Sequence, residues 1–459
     1  MKIDFQITPA RLLPALYRMW DLSADKILSL QQSWKQAHGT PVFTVQGKYT
    51  SRGWTEWTQG FQFGSALLQF DAMGDEQFLN LGREATIRWM ASHVSHIGVH
   101  DHGFNNVSTY GNLRRLMVEG KIPFNPGEKN FYELALKVSG AIQAARWTKI
   151  AGGGGFIYSF NGPHSLFVDT LRSLRSLAVA HQLGHVLMAE RDEKVSLLGR
   201  LLEHGRATAQ FSIFYGCGRD AYDVRGRTAH ESIFNVVDGS YRCPSSQQGY
   251  SAFTTWTRGL AWALCGFAEL LEFLRTIPRL QIDSFAPSAE MRREFLEAAQ
   301  ATADFYIENS SADGIPMWDT GAPNLYHLAN YQKRPAQPFN HWEPVDSSAA
   351  AIAAQGLIRL GNYMGSTGAR AQGKRYRQAG LTVASTLLEK PYLSTSSSHQ
   401  GLLLHSVYHR PNGWDHQRRG QCVPNGESSM WGDYHLRELA LLLLREARGE
   451  NYLTFFDYE

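Results

Sequence analysis

Trp256-Thr257-Arg258-Gly259 runs without a break into Leu260-Ala261-Trp262 and on to Leu274, with apolar residues at helical spacing throughout. The same layout, an aromatic or Gly/Asp-bearing loop leading straight into an apolar helix, recurs five more times. The other junctions are Trp57-Thr58-Gln59-Gly60-Phe61, His100-Asp101-His102-Gly103-Phe104, Ser165-Leu166-Phe167-Val168-Asp169, Asp346-Ser347-Ser348-Ala349 and Ser429-Met430-Trp431-Gly432-Asp433-Tyr434. Trp57 in the first of them and Trp431 in the last lie 374 residues apart. The mean interval is therefore about 75 residues, roughly two helices with their connections. Six helical hairpins closed into a ring would bring all six junctions to one end, so the spacing predicts an all-α (α/α)6 toroid with a pocket at its mouth.

The rest of the chain agrees with that class. Glu294 to Tyr306, Ala349 to Leu360 and Leu436 to Arg445 also carry helical periodicity, few segments alternate like strands, and Gly and Pro fall between helices. The 459 residues are 43% hydrophobic and 12% aromatic, enough for a large buried core. No linker or change of composition divides them, so a single domain over residues 1–459 is expected. With 45 basic against 42 acidic residues and no block of either sign, nucleic acid is disfavoured as a partner. Cys217, Cys243, Cys265 and Cys422 form neither a C-x-x-C pair nor a framework, and read as free thiols. No stretch reaches the length of a membrane span, and Met1 to Phe5 lacks the pattern of a signal peptide. The expectation is a cytoplasmic protein, or a periplasmic one if a leader precedes it, with no membrane partner.

Chemistry concentrates at the junctions. Gln248, Tyr250, Trp256, Arg258 and Trp262 put an amide, a permanent cation and three aromatic rings within fifteen residues. A guanidinium can grip a carboxylate through two hydrogen bonds and indole faces stack on sugar C–H surfaces, so the set suits an acidic sugar. Arg258 could equally serve as the buried partner of a protein carboxylate. Trp256 and Trp262, six residues apart, are expected to point different ways, one to the pocket and one to the core. Asp169 lies among apolar residues, where an ionised carboxylate is costly unless paired or used. Asp101 sits in a comparable place between two histidines. Facing one another across a pocket, the two would hold one proton between them and could act as acid and base on a glycosidic or enol-ether bond; alternatively each caps its helix. His230 is a candidate binding residue or a structural hydrogen bonder.

Other signals are weaker. The run Gly152 to Gly155 lacks a following Lys-Ser or Lys-Thr and reads as a turn, not a phosphate loop. His100-x-His102 and the pair His405 and His409 lack further ligands at metal spacing, so neither a metal nor another cofactor is expected. Ser394 to Ser398 reads as an exposed polar loop that could contact sulfate or hydroxyl groups.

Taken together and in this order, the junction motifs, His230, Gln248-Gly249-Tyr250, Trp256 to Trp262 and Gly401 to His409 resemble glycoside hydrolase family 88, the unsaturated glucuronyl hydrolases, from about Trp57 to Tyr434. The resemblance implies an (α/α)6 barrel that removes a 4,5-unsaturated uronic acid from the non-reducing end of lyase-generated oligosaccharides. It implies that a protonated Asp169 gives its proton to C4 of the double bond and then, as carboxylate, activates the water that adds at C5. It implies that Asp101 holds substrate hydroxyls and tunes Asp169, that His230, Gln248 and Arg258 bind near C5 and its carboxylate, and that Trp57, Trp256 and Trp262 wall the pocket. Phe160 stands about where the family tends to have a pocket Trp, and the spans from Asn105 to Ile150 and from Asp169 to His230 are longer than the family pattern. These departures keep open an unsaturated rhamnogalacturonyl hydrolase or a saturated β-glucuronidase on the same fold. A sugar epimerase would need paired histidines, and a non-catalytic sugar-binding protein would not need both aspartates.

Overall fold

The computed structural model describes residues 1–53 and 56–456. Each of the six junctions opens an inner helix: Gln59–Met73, His102–Asn106 continuing through a π-helical turn to Val118, Thr170–Ser173 continuing through Arg175–Gln182, Thr257–Thr276, Ser347–Ser366 and Met430–Arg448. Outer helices alternate with them: Pro9–Ser33, Glu76–Trp89, Pro126–Ala145, Leu197–Phe211, Ser288–Asn309 and Arg370–Leu387. The last inner helix packs on the first, and Pro9–Ser33 lies against both, which closes the ring. The architecture is the (α/α)6 toroid that the spacing predicts.

The inner helices are built to approach one another closely. A Cβ on Gly60 would stand 2.2 Å from the carbonyl oxygen of Asn105, and one on Gly103 would stand 2.1 Å from that of Ser173. Neither space admits a side chain, which explains why the junction motifs carry glycine just inside the helix. Two of the junctions end in side-chain caps. Asp346 Oδ1 accepts from the amides of Ser348 and Ala349, and Ser429 Oγ from that of Gly432. The buried apolar side chains of all six inner helices join one core cluster.

Strands are short, and apart from the pair Leu187–Met188 with Lys194–Val195 they sit in the connections at the mouth. The hairpin Pro41–Val45 with Lys48–Ser51 leads to the first inner helix, and Gly152 to Gly154, all at positive φ, turn the hairpin Trp147–Lys149 with Gly155–Ile157. The third junction is itself a strand. Ser165–Phe167 pairs with Glu231–Phe234, which pairs in turn with Tyr241–Ser245, all antiparallel. That register sets Phe167 opposite Glu231 and lets the Val168 amide donate to the His230 carbonyl at 3.0 Å. The sheet thereby carries His230 and the segment after Ser245 up to Asp169. No described helix is long and apolar enough to cross a membrane.

Candidate active site

A cavity of about 350 Å³ opens at the mouth and is lined by Trp57, Asp101, Asp169, Gln248, Trp256, Arg258 and Trp262, a size and composition that suit a small polar ligand. Seven of the eight residues to which the family resemblance assigns a role thus meet in one place. His230 is the exception, packed behind the wall with its ring 4.4 Å from that of Phe167 and 4.8 Å from that of Trp256.

Asp101 and Asp169 occupy N-cap positions, yet neither side chain caps its helix. Both face His100. Its Nε2 lies 3.3 Å from Asp169 Oδ1 and 3.7 Å from Asp101 Oδ1. Burial pushes the pKa of Asp101 up; His100 draws it back, Asp169 adds repulsion, and the net is above the ordinary carboxylate value. Burial also acts upward on Asp169, but the hydrogen bond and charge of His100, with a contribution from His230, carry it below the ordinary value. For His100, burial favours the neutral ring, and the two carboxylates outweigh it, so its pKa rises. One base therefore stands between two buried acids. The surroundings therefore favour the ionised form of Asp169, the neutral form of Asp101 and the protonated form of the imidazole between them. The family resemblance implies a protonated Asp169; its surroundings instead favour the ionised form, with His100 Nε2 at 3.3 Å as the neighbouring proton carrier.

His230 is neutral. Its Nδ1 accepts the amides of Gln247 at 2.9 Å and Gln248 at 3.3 Å, which assigns the ring proton to Nε2, a buried donor without a protein partner. Burial is the main cause of a pKa lowered to about 4. Gln248 Oε1 in turn accepts from Arg258 at 3.0 Å, which leaves its amide N–H groups for the cavity.

Arg258 departs from the simple picture of a substrate clamp. It donates to Asp346 Oδ2 at 3.1 Å, to the Tyr408 carbonyl at 2.7 Å and to the Val407 carbonyl, and its guanidinium lies between the rings of Trp256 and Trp431. The buried carboxylate partner foreseen as an alternative is Asp346. Arg258 brings positive charge to the pocket wall, but its Nη donors are turned to protein oxygens.

Trp256 and Trp262 both line the cavity, against the expectation that they diverge. The reason is that Trp256 is the extended N-cap residue, with φ −64° and ψ 112°, so helical periodicity does not govern its direction. Trp57 stacks on Trp431 at 5.1 Å, and Trp262 packs against Phe104 at 4.9 Å. Phe160 lies over His100, ring to ring at 6.0 Å, and is half exposed at the pocket edge.

Several lining residues escaped the sequence reading, among them His100 as a functional group, Glu56, Gln247, Tyr408 and Trp414. His100 was visible beside Asp101 in its motif, but which neighbouring histidine faces the carboxylates depends on side-chain direction. His102 turns the other way, to Ser139 Oγ at 3.0 Å and the His96 carbonyl at 2.9 Å, so the two histidines do not form a chelating pair.

No family model matches the chain. Among curated proteins it is 24% identical over 419 residues to an unsaturated glucuronyl hydrolase of Bacillus sp. strain GL1, covering 88% of this chain and 90% of that protein. It is 21% identical over 417 residues to an unsaturated chondroitin disaccharide hydrolase of Streptococcus agalactiae serotype III, strain NEM316, covering 90% and 87%. Among solved structures, the unsaturated glucuronyl hydrolase of Bacillus sp. GL1 superposes with a TM-score of 0.68 at 21% identity, over 95% of this chain and 99% of that one. The chain has the fold of these proteins along nearly its whole length.

Proposed function

We propose that this chain is an unsaturated glucuronyl hydrolase of the glycoside hydrolase family 88 type, with residues 1–459 forming one catalytic domain. Its substrate in this reading is an oligosaccharide ending in a 4,5-unsaturated uronic acid, and no cofactor takes part. The observation that carries it is the cluster of Asp101, His100 and Asp169, two buried carboxyls around one imidazole, inside a pocket walled by indoles.

His100 favours the ionised form of Asp169, and a substrate carboxylate brought beside it makes that form more costly. The His100 proton then passes across the 3.3 Å contact to Asp169, which becomes the acid. Asp169 gives this proton to C4 of the C4=C5 bond while the ring oxygen supports the positive charge that develops at C5. The same carboxylate takes a proton from water as the water oxygen bonds to C5. The product is a hemiketal; its ring opens to a C5 ketone, leaving at C1 a hemiacetal that collapses to an aldehyde and releases the next sugar as an alcohol.

The neutral His230 Nε2–H and the amide of Gln248 are donors for the substrate near C5, His230 once the wall of Phe167 and Trp256 yields to the bound sugar. Arg258 acts through its charge, and Trp57, Trp256 and Trp262 supply the apolar faces.

The test is ultraviolet absorbance of the conjugated enol-uronate over time with unsaturated disaccharides from hyaluronan, chondroitin, heparin and pectin. Decay on at least one of them, abolished by Asp169→Asn, is expected. Constant absorbance on every one, together with cleavage of a saturated aryl glucuronide, would overturn the reading.

A further inference from the structure

A second cavity, about 680 Å³ against 350 Å³ for the first, is lined by Lys390, Ser394, His416, Arg418, Arg419 and Phe339. Its walls are the hairpin turn at Gln46 and Gly47, the segment before the inner helix Ser347–Ser366 and the segment from Lys390 to Gly426 before the inner helix Met430–Arg448. All three lead into the N-termini of inner helices, so this cavity opens on the same face as Asp101 and Asp169. One loop divides the two spaces. Tyr408, His409 and Trp414 face the first, while His416, Arg418 and Arg419 face the second.

The lining is of one sign. No aspartate or glutamate contributes to it among the described residues. The nearby carboxylates are engaged: Glu389 pairs with Arg18 at 2.7 Å, and Glu427 accepts from Thr44 Oγ1 at 2.6 Å and the Gly47 amide at 3.0 Å, with Nε2 of the lining residue His399 at 3.7 Å. The guanidinium groups of Arg418 and Arg419 and the Lys390 ammonium have no carboxylate partner among the described residues. Ser394 is 1% exposed, and its hydroxyl has no partner, nor has Nε2 of His416. A buried hydroxyl left unpaired is costly unless something else completes it. Phe339 is exposed, its ring edge-on to His405 at 4.9 Å, and offers an apolar face beside the cations.

We propose that this second cavity docks an anionic group, a sulfate ester or a uronate carboxylate, carried on the sugar chain beyond the residues held in the first pocket. The inference rests on the reading of the chain as an enzyme of acidic oligosaccharides. Arginine donors fit either oxyanion, the Ser394 hydroxyl completes its hydrogen bonds, and Phe339 packs on the sugar ring that bears it. The division of labour follows: the first pocket recognises the terminal residue, and the second adds affinity only for chains long enough to cross the loop between them.

The test uses a saturated chondroitin sulfate octasaccharide, whose binding does not depend on the hydration reaction. Calorimetric titration of the wild type is expected to show binding that weakens about tenfold in Arg418→Ala/Arg419→Ala, the loss of one charge-assisted contact or more. Arg418→Lys/Arg419→Lys should recover part of it, and a neutral oligosaccharide of the same length should not bind. With unsaturated substrates, the double alanine variant should raise KM for an octasaccharide and leave disaccharide kinetics unchanged. Equal octasaccharide affinity in the wild type and a folded alanine variant would overturn the proposal, and inorganic sulfate binding as tightly as the octasaccharide would overturn its sugar half. Arginine-dependent binding without any turnover would sink the reaction assigned above and leave the docking site standing.

Discussion

Asp169 and Arg172 are three residues apart on one inner helix, both buried, and their surroundings treat charge in opposite ways. Arg172 reaches Glu438 at 2.8 Å and Glu269 at 2.9 Å, and Arg175 reaches the other oxygen of Glu438 at 3.2 Å. Burial alone would raise the pKa of Glu438, but the two guanidinium groups overwhelm it and hold the carboxyl far below its ordinary range. At the mouth, one imidazole serves two carboxyls, and the pKa of Asp101 is raised. A carboxylate gripped by two guanidinium groups has a fixed charge, whereas two carboxyls sharing one imidazole leave a proton that can move. The deep cluster therefore reads as structure and the mouth cluster as chemistry, a difference burial alone does not reveal.

Substitutions can break this contrast. Asp169→Asn should lower kcat by about 10²–10⁴-fold, the usual worth of a general acid–base group, with the unfolding midpoint in urea unchanged or raised. Glu438→Gln should do the reverse, leaving two buried arginines short of a counter-charge at a cost of about 3–5 kcal/mol in unfolding free energy. A small stability loss there would remove the distinction between the two clusters.

His100→Gln sharpens it further. The two carboxylates raise the pKa of His100, so the imidazole keeps its proton to higher pH than a free imidazole would. Without it the proton must reside on a carboxyl, and the descending alkaline limb of kcat/KM should move to lower pH; an unmoved limb would remove His100 from the proton path. The smallest effect is expected at the rim. Phe160→Trp enlarges a half-exposed ring over the site and should lower KM by no more than the about 0.5–1.5 kcal/mol of one aromatic contact, with kcat unchanged.

The fold was legible because its signal is local and repeated: Gly60 and Gly103 mark close helix approaches inside motifs that can be read residue by residue. Asp101, Asp169, Trp57 and Trp256 were legible for the same reason, since each stands at the opening of an inner helix and the ring places those openings together. Arg258 was only half legible, because its partners Asp346, Val407 and Tyr408 lie 88 to 150 residues away. His230 was placed near the site by spacing, but its neutral state and orphan Nε2 follow from amides delivered by the strand register. The role of His100 depends on a rotamer, which periodicity does not encode.

The central claim is that a proton held by Asp101, His100 and Asp169 is delivered to C4 of an unsaturated uronate. Early turnover in D2O with an unsaturated disaccharide, followed by NMR of the released uronic acid, tests it directly. The account predicts one deuteron at C4, delivered to a single face, and no label in Asp169→Asn mixtures beyond the uncatalysed background. Release of the sugar with the C4=C5 bond intact and C4 undeuterated would contradict it.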